Sequence, residues 1–150
     1  MLSARLRALR VFSVSAVVPH ADRHRVSHRR YRVLPTDIDL NLHLTNSRYF
    51  QLMDIGRLDL LMLAGALARV REGYGFVAAE VSCSFRRELP LWQAFSVRSE
   101  MVARDRKALK VEQRFLVGDR EHALGHVTML LLRHGKVVEP EPLLGLLPAG

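Results

Sequence analysis

Cysteine is almost missing from this chain. Its 150 residues hold one, Cys83, which excludes an internal disulfide and leaves no second thiol for a zinc knuckle. A single thiol suits a reducing compartment, and its place inside an alternating pattern reads as core filling. Long apolar runs are missing too. No stretch reaches the roughly 18 apolar residues of a membrane-spanning helix, and the longest, such as Val127 to Leu132, fits a buried strand. The expected state is therefore soluble and cytoplasmic, or peripheral to a membrane. Aromatic residues make up only 7% and form no interleaved ladder with the basic ones, so the stacking platform of a nucleic-acid binder is lacking despite a formal charge of +8. No nucleic-acid partner is expected. Acidic residues are scarce at the start, where only Asp22 opposes Arg5, Arg7, Arg10, Arg23, Arg25, Arg29 and Arg30.

What is present is 49% hydrophobic, enough to bury the core of one domain and without room for a second. Residues 1–28 read as a basic N-terminal extension, with Leu2, Leu6, Leu9 and Phe12 at helical spacing among arginines and serines. Three readings stay open for it: a membrane-peripheral or partner-docking helix, a cleaved presequence, and a solvated tail. His20, His24 and His28 stand four apart, yet Pro19 and the sparse apolar pattern argue against a helix that would align them, and His122 and His126 lack a carboxylate or thiol at ligand spacing. No metal is expected.

Residues 29–138 carry the patterning of a domain, and 139–150 a short closing segment. Arg30 to Leu34 reads as a strand ended by Pro35. Ser47 to about Leu67 lacks proline and is apolar around most of its circumference, which predicts a helix wrapped by other elements, with Thr45, Asn46 and Ser47 offering capping oxygens. The period then changes from helical to two. Val77, Ala79, Val81, Cys83 and Phe85 alternate with polar residues, and the stretches around Phe95 to Ala103, Val111 to Val117 and Ala123 to Leu132 follow, joined by short turns at Asp105 to Lys107, Gly118 to Arg120 and His134 to Lys136. The expectation is an α+β domain, an antiparallel sheet of about five strands wrapped around one long central helix. Such a sheet has open edges, so a homodimer or higher homo-oligomer is expected.

The chemistry is concentrated in Asp37 to Tyr49. If this loop runs extended, Asp37, Asp39, Asn41 and His43 share one side while Ile38, Leu40, Leu42 and Leu44 anchor the other. A carboxylate, an amide and an imidazole would then meet at a helix N-terminus, whose free N–H groups favour developing negative charge. Thioester hydrolysis needs these parts. The same residues also serve as turn formers in ordinary loops.

The run Asp37-Ile38-Asp39-Leu40-Asn41-Leu42-His43-Leu44-Thr45-Asn46-Ser47-Arg48-Tyr49 resembles the Asp-x-Asp-x-Asn-x-His-x-x-Asn-x-x-Tyr signature of hotdog-fold acyl thioesterases. It is similar to plant acyl-ACP thioesterases at every position but Thr45, to the bacterial 4-hydroxybenzoyl-CoA thioesterase-like family, and to a related group of small thioesterase-like proteins in which a stretch like Met53-Asp54-Ile55-Gly56-Arg57 continues the helix. The likeness extends more loosely from Arg30 to Val138. It implies a hotdog fold and hydrolysis of an acyl-CoA or acyl-ACP thioester, with coenzyme A or phosphopantetheine as part of the substrate and no other cofactor. It implies Asp39 as nucleophile or base for water, Asn41 and His43 as its partners, and oxyanion donors at Asn46 and Ser47. Tyr49, Arg48, Arg86 and Arg87 are the implied substrate contacts, set against plain surface roles for the arginines. Asp54 and Arg57, at i and i+3, read as a structural ion pair. A non-catalytic acyl-carrier or lipid-binding hotdog protein is the alternative, and a hotdog hydratase fits the Asp39 and His43 context less well.

Overall fold

A computed structural model describes residues 26–140 of the chain. The basic segment before Val26, with His20 and His24, lies outside the described residues, as does most of the closing segment. Strand β1 (Val26–Arg32) is followed by a short 3₁₀ turn at Pro35–Asp37 and then by helix α1 (Asn46–Leu63). A second 3₁₀ segment, Ala66–Glu72, leads into β2 (Tyr74–Phe85), β3 (Ala94–Asp105), β4 (Ala108–Val117), β5 (Arg120–Arg133) and β6 (Lys136–Val138). Among the described residues the sheet has six strands, where about five were expected, in the order β1-β3-β4-β5-β2, with β6 paired to β5. Every pairing is antiparallel. Helix α1 packs against β1, β3 and β4.

The first strand starts four residues before the position that apolar alternation suggests. Its inward residues include Ser27 and Arg29, which a hydrophobic pattern cannot flag. Both reach Asp59 of α1, a carboxylate with no solvent exposure. The Ser27 hydroxyl donates to Oδ2, and Arg29 donates through Nε to Oδ2 at 2.7 Å and through Nη2 to Oδ1 at 2.6 Å. Residues 26–28, assigned from sequence to the extension, thus belong to the sheet.

Helix α1 ends at Leu63, earlier than the composition suggests, because Gly65 turns into the left-handed region at φ 73° and its N–H closes on Met62 O at 2.9 Å. At its start Thr45 is extended and caps no helical N–H with its side chain, so the expected capping oxygens are not used that way. The buried face carries Tyr49, Leu52, Met53, Ile55, Leu60 and Leu61. Phe50 points outward and is 37% exposed, so the helix is not wrapped on every side.

One row across the sheet lets the helix come close. Ser27 pairs with Ser99, Ser99 with Gln113, Gln113 with Gly125, and Gly125 with Cys83, giving small or polar residues in line across five strands. Gln113 is fully buried and donates from Nε2 to the Met53 carbonyl at 2.9 Å and to Ser99 Oγ at 2.8 Å, satisfying the groups that α1 presses into the sheet. Gly56 of α1 sits over this row, where a Cβ would lie 2.5 Å from Ser99 Oγ. Arg57, paired with Asp54 as the spacing suggests, also donates to Gln113 Oε1 at 3.3 Å. Burial pushes this guanidinium below its ordinary value, against the pull of Asp54.

Strand β2 departs from simple alternation. The register with β5 shifts between Ala78 and Glu80, so Ala79 is the extra residue of a bulge. Beyond it, Val81, Cys83 and Phe85 share the face expected for them. Before it, Phe76 and Ala78 lie opposite Leu131 and Met129, and Val77 falls on the other face, 41% exposed.

Candidate active site

The Asp37 to Tyr49 run is not extended. Ile38 and Leu44 pair as an antiparallel bridge and close a tight hairpin between them. Within it Asp39 N donates to His43 O at 3.3 Å and Leu42 N to Asp39 O at 3.0 Å. The Asp39 carboxylate accepts the Asn41 N–H at 2.9 Å, the local bond typical of aspartate at a turn. Leu42 completes the reversal in the left-handed region, at φ 60°. The reversal brings Asp39 and His43 to opposite ends of one short turn. It also overturns the expected anchoring: Leu40 and Leu42 project from the tip, 101% and 58% exposed, while only Ile38 and Leu44 pack inward.

Asp37 does not stand beside Asp39 either. It is buried, its Oδ2 accepting the Leu34 N–H at 2.9 Å and its Oδ1 lying 3.5 Å from Arg48 Nε. Arg48 further donates to Gln51 Oε1 at 2.5 Å and to the Thr36 carbonyl at 2.8 Å. Its guanidinium ties the first helical turn to the preceding 3₁₀ turn. It is buried, not the solvated surface charge set against a substrate contact for it.

The hairpin is held from outside by the segment after β2. Leu44 N donates to Leu89 O at 2.8 Å, Leu91 N to Leu42 O at 3.0 Å, and His43 bridges Pro90. This docking brings in two side chains that the sequence reading missed. Glu88 Oε2 lies 3.2 Å from His43 Nε2, and the Glu88 carbonyl lies 2.9 Å from His122 Nδ1. Nothing in the motif marks them. Their placement follows from pairings between segments more than thirty residues apart, of which Leu89, fully buried between charged Glu88 and Pro90, is the one local hint.

Of the remaining site residues, Asn46 and Ser47 are exposed at the first turn of α1, where helix N–H groups have no intrahelical partner. Ser47 Oγ lies 3.1 Å from Thr45 Oγ1. Arg86 and Arg87 are exposed, their backbone N–H groups bound to the His122 carbonyl and the Arg86 side chain paired with Glu121 at 2.8 Å. Tyr49 is 3% exposed and belongs to the core, its ring 4.9 Å from both Phe85 and Phe115. Burial, with help from Cys83 and Glu88, pushes its phenol up to about 12. Burial likewise pushes the Cys83 thiol up to about 11, which leaves it protonated at neutral pH and unsuited to nucleophilic attack. No group of three metal-ligating side chains is found among the described residues, and none of the described helices is long and apolar enough to cross a membrane.

The raised phenol has a consequence for stability. In the unfolded chain a tyrosine ionises near pH 10, whereas Tyr49 in the fold resists ionisation until about 12. Its contribution is intact below pH 10 and is lost as pH climbs through that window, because only the unfolded state gains from ionising. Urea unfolding of wild type and Tyr49→Phe at pH 9 and pH 11 checks this: the wild type is expected to lose more stability between the two.

A family model described as the thioesterase-like superfamily matches residues 33–144. Protein THEM6 of Xenopus laevis is 32% identical over 105 residues, covering 63% of this chain and 51% of that protein. The chain spans about half the length of the curated relatives it matches. Among solved structures, the probable thioesterase YbaW from Escherichia coli superposes with a TM-score of 0.74 at 17% identity, covering 80% of this chain and 97% of that one. A probable thioesterase from Bartonella henselae gives 0.67 at 21% identity, over 76% and 98% of the two chains. At such identities the likeness to these structures is one of fold: the antiparallel sheet curled against a helix.

Proposed function

Because this chain belongs to the thioesterase-like superfamily, we propose that it hydrolyses an acyl-CoA or acyl-ACP thioester to the free acid and the carrier thiol. The observation that carries the reading is the Asp39–His43 turn, which sets a carboxylate, an amide and an imidazole on five consecutive residues immediately before the N-terminus of α1. In the proposed reaction Asp39 takes a proton from water as it adds to the thioester carbonyl. Asn41 and His43 hold the water and the carbonyl, and N–H groups at Asn46 and Ser47 receive the negative charge on the carbonyl oxygen. Collapse of the tetrahedral adduct breaks the C–S bond and expels the thiolate, which takes up a proton. Direct attack by Asp39 on the carbonyl, with hydrolysis of the resulting anhydride, uses the same residues.

A second copy of the chain belongs to this proposal. Leu40 and Leu42 at the turn, and Phe85 on edge strand β2, are large apolar groups left open to water in the single chain, and a facing subunit gives them cover while enclosing Asp39. Exposure of Asp39 on the isolated chain favours one other reading, a protein that binds acyl groups without cleaving them. Thiol release from a panel of acyl-CoA and acyl-ACP substrates of different chain length separates the two. Turnover on at least one member is expected, and binding with no release on any would replace hydrolysis by carriage.

A further inference from the structure

We propose that the end of the sheet opposite the candidate site is a docking surface for a bilayer carrying anionic phospholipid, whether or not that site cleaves a thioester. Three pieces of chain meet at this end. Strand β6 takes up the edge of β5 where β4 leaves it, since Leu130 pairs with Ala108 and the next residue, Leu131, with Val138. The turn between β3 and β4 therefore abuts β6. The His134 N–H donates to the Gly73 carbonyl at 3.0 Å, which ties the turn between β5 and β6 to the end of the Ala66–Glu72 segment. Across these pieces Arg71, Arg104, Arg106, Lys107, Arg133 and Lys136 are all exposed. Glu72 is taken up by Arg69 at 2.9 Å, so that among the described residues of the three pieces Asp105 and Glu139 are the carboxylates left to oppose them.

Gathering charge of one sign works against the fold. Arg133 and Lys136 face each other across the ladder, a like-charged pair that destabilises a hairpin. The Tyr74 ring, 5.2 Å beneath the Arg133 guanidinium, holds that charge in place without neutralising it. Arg106 stands in the left-handed region at φ 33°, where glycine is at ease and a longer side chain is not. A negatively charged plane accounts for all three. Val70 and Val137, 50% and 41% exposed, lie on the same pieces of chain. Cations interspersed with aliphatic groups match the interfacial zone of a bilayer, whose headgroups attract the first and whose acyl chains take up the second. The incoming chain points the same way. Val26 pairs with Glu100, four residues before Arg104, so the segment ahead of β1 joins the fold at this end. Its sequence sets Arg5, Arg7, Arg10, Arg23 and Arg25 against Asp22, together with Leu2, Leu6, Leu9 and Phe12. The Asp39 turn, docked on Leu89 and Leu91 before β3 begins, lies at the other end and stays clear of the bilayer.

Flotation of the full chain with vesicles of phosphatidylcholine, alone or mixed with about one third phosphatidylserine, tests the proposal. Binding is expected to the mixed vesicles and not to the neutral ones, and is expected to fall steeply between about 0.1 M and 1 M salt as surface charge is screened. Lys107→Gln/Lys136→Gln removes two exposed charges from the docking end and is expected to weaken partitioning about 10- to 30-fold, at roughly fivefold per basic residue near the membrane. Arg30→Gln/Arg32→Gln removes two from the far half of β1, beyond the reach of a screened surface charge, and is expected to leave partitioning within about twofold. The lone tryptophan reports the orientation. Trp92, 54% exposed, stands before β3 begins, roughly 35–40 Å from the turn that follows that strand. Its emission is expected to show no blue shift when mixed vesicles are added. Failure to bind either vesicle, equal binding to both, a double variant at Lys107 and Lys136 that binds like wild type, or a blue shift of Trp92 overturns the proposal. Capture by polyglutamate without binding to vesicles also overturns it, and reassigns this end to a soluble acidic partner.

Discussion

Asp39→Asn is expected to cut kcat for thiol release by about 10²- to 10⁴-fold, the range lost when a positioned acid–base group is removed. The substitution is well isolated from the fold. Asp39 is exposed and its one side-chain hydrogen bond is accepted from Asn41 N–H at Oδ1, a bond that an asparagine oxygen makes equally well. The turn, its left-handed Leu42 and the docking to Leu89 and Leu91 therefore persist. A loss of turnover with an unchanged circular dichroism spectrum and melting temperature assigns the carboxylate to the chemistry. Equal turnover in both proteins removes Asp39 from the mechanism and shifts attention to His43.

The largest stability effect is expected at a residue with no part in that chemistry. Arg29→Met removes two hydrogen bonds from Asp59, a carboxylate sealed beneath α1 with no contact with water. Asp59 in turn holds the Arg29 guanidinium above its ordinary value, chiefly through the direct hydrogen bond. Stripping one partner from a buried pair costs about 3–5 kcal/mol, because the remaining charge stays out of water without its counter-ion. Urea unfolding at pH 7 is expected to show a loss of that order for Arg29→Met. The double variant Arg29→Met/Asp59→Leu is expected to recover much of it, since replacing both charges removes the uncompensated ion.

These two residues mark the boundary of what the sequence discloses. Strand alternation, the helix and the short turns were readable because burial imposes a period on apolar residues. Where polar residues were buried instead, the reading slipped: Ser27 and Arg29 hid the true start of β1, and the Ala79 bulge reversed the side on which Val77 lies. The candidate site divided in the same way. Asp39, Asn41 and His43 stand in one local motif, to which their residue types and the likeness to the thioesterase signature both point. Glu88 and His122 could not be named so, since they join the site only through backbone bonds made across the fold. Arg48 and Tyr49 share the motif yet face the interior, because the first helical turn must place something against Asp37 and Phe115. A period-two reading of the loop failed for a geometric reason: Leu42 turns left-handed, and no alternation survives a reversal of the chain.

The way the turn is moored has one further consequence. Leu42, His43 and Leu44 are stitched to Leu89, Pro90 and Leu91, and Trp92 and Gln93 are stitched in turn to Val33. The thirteen-residue signature is accordingly not a portable cassette. Grafted onto another scaffold without the 88–93 segment, it would keep its letters and lose the relative placement of acid and imidazole, and a single residue inserted after Leu89 would do the same in the native chain without altering either group.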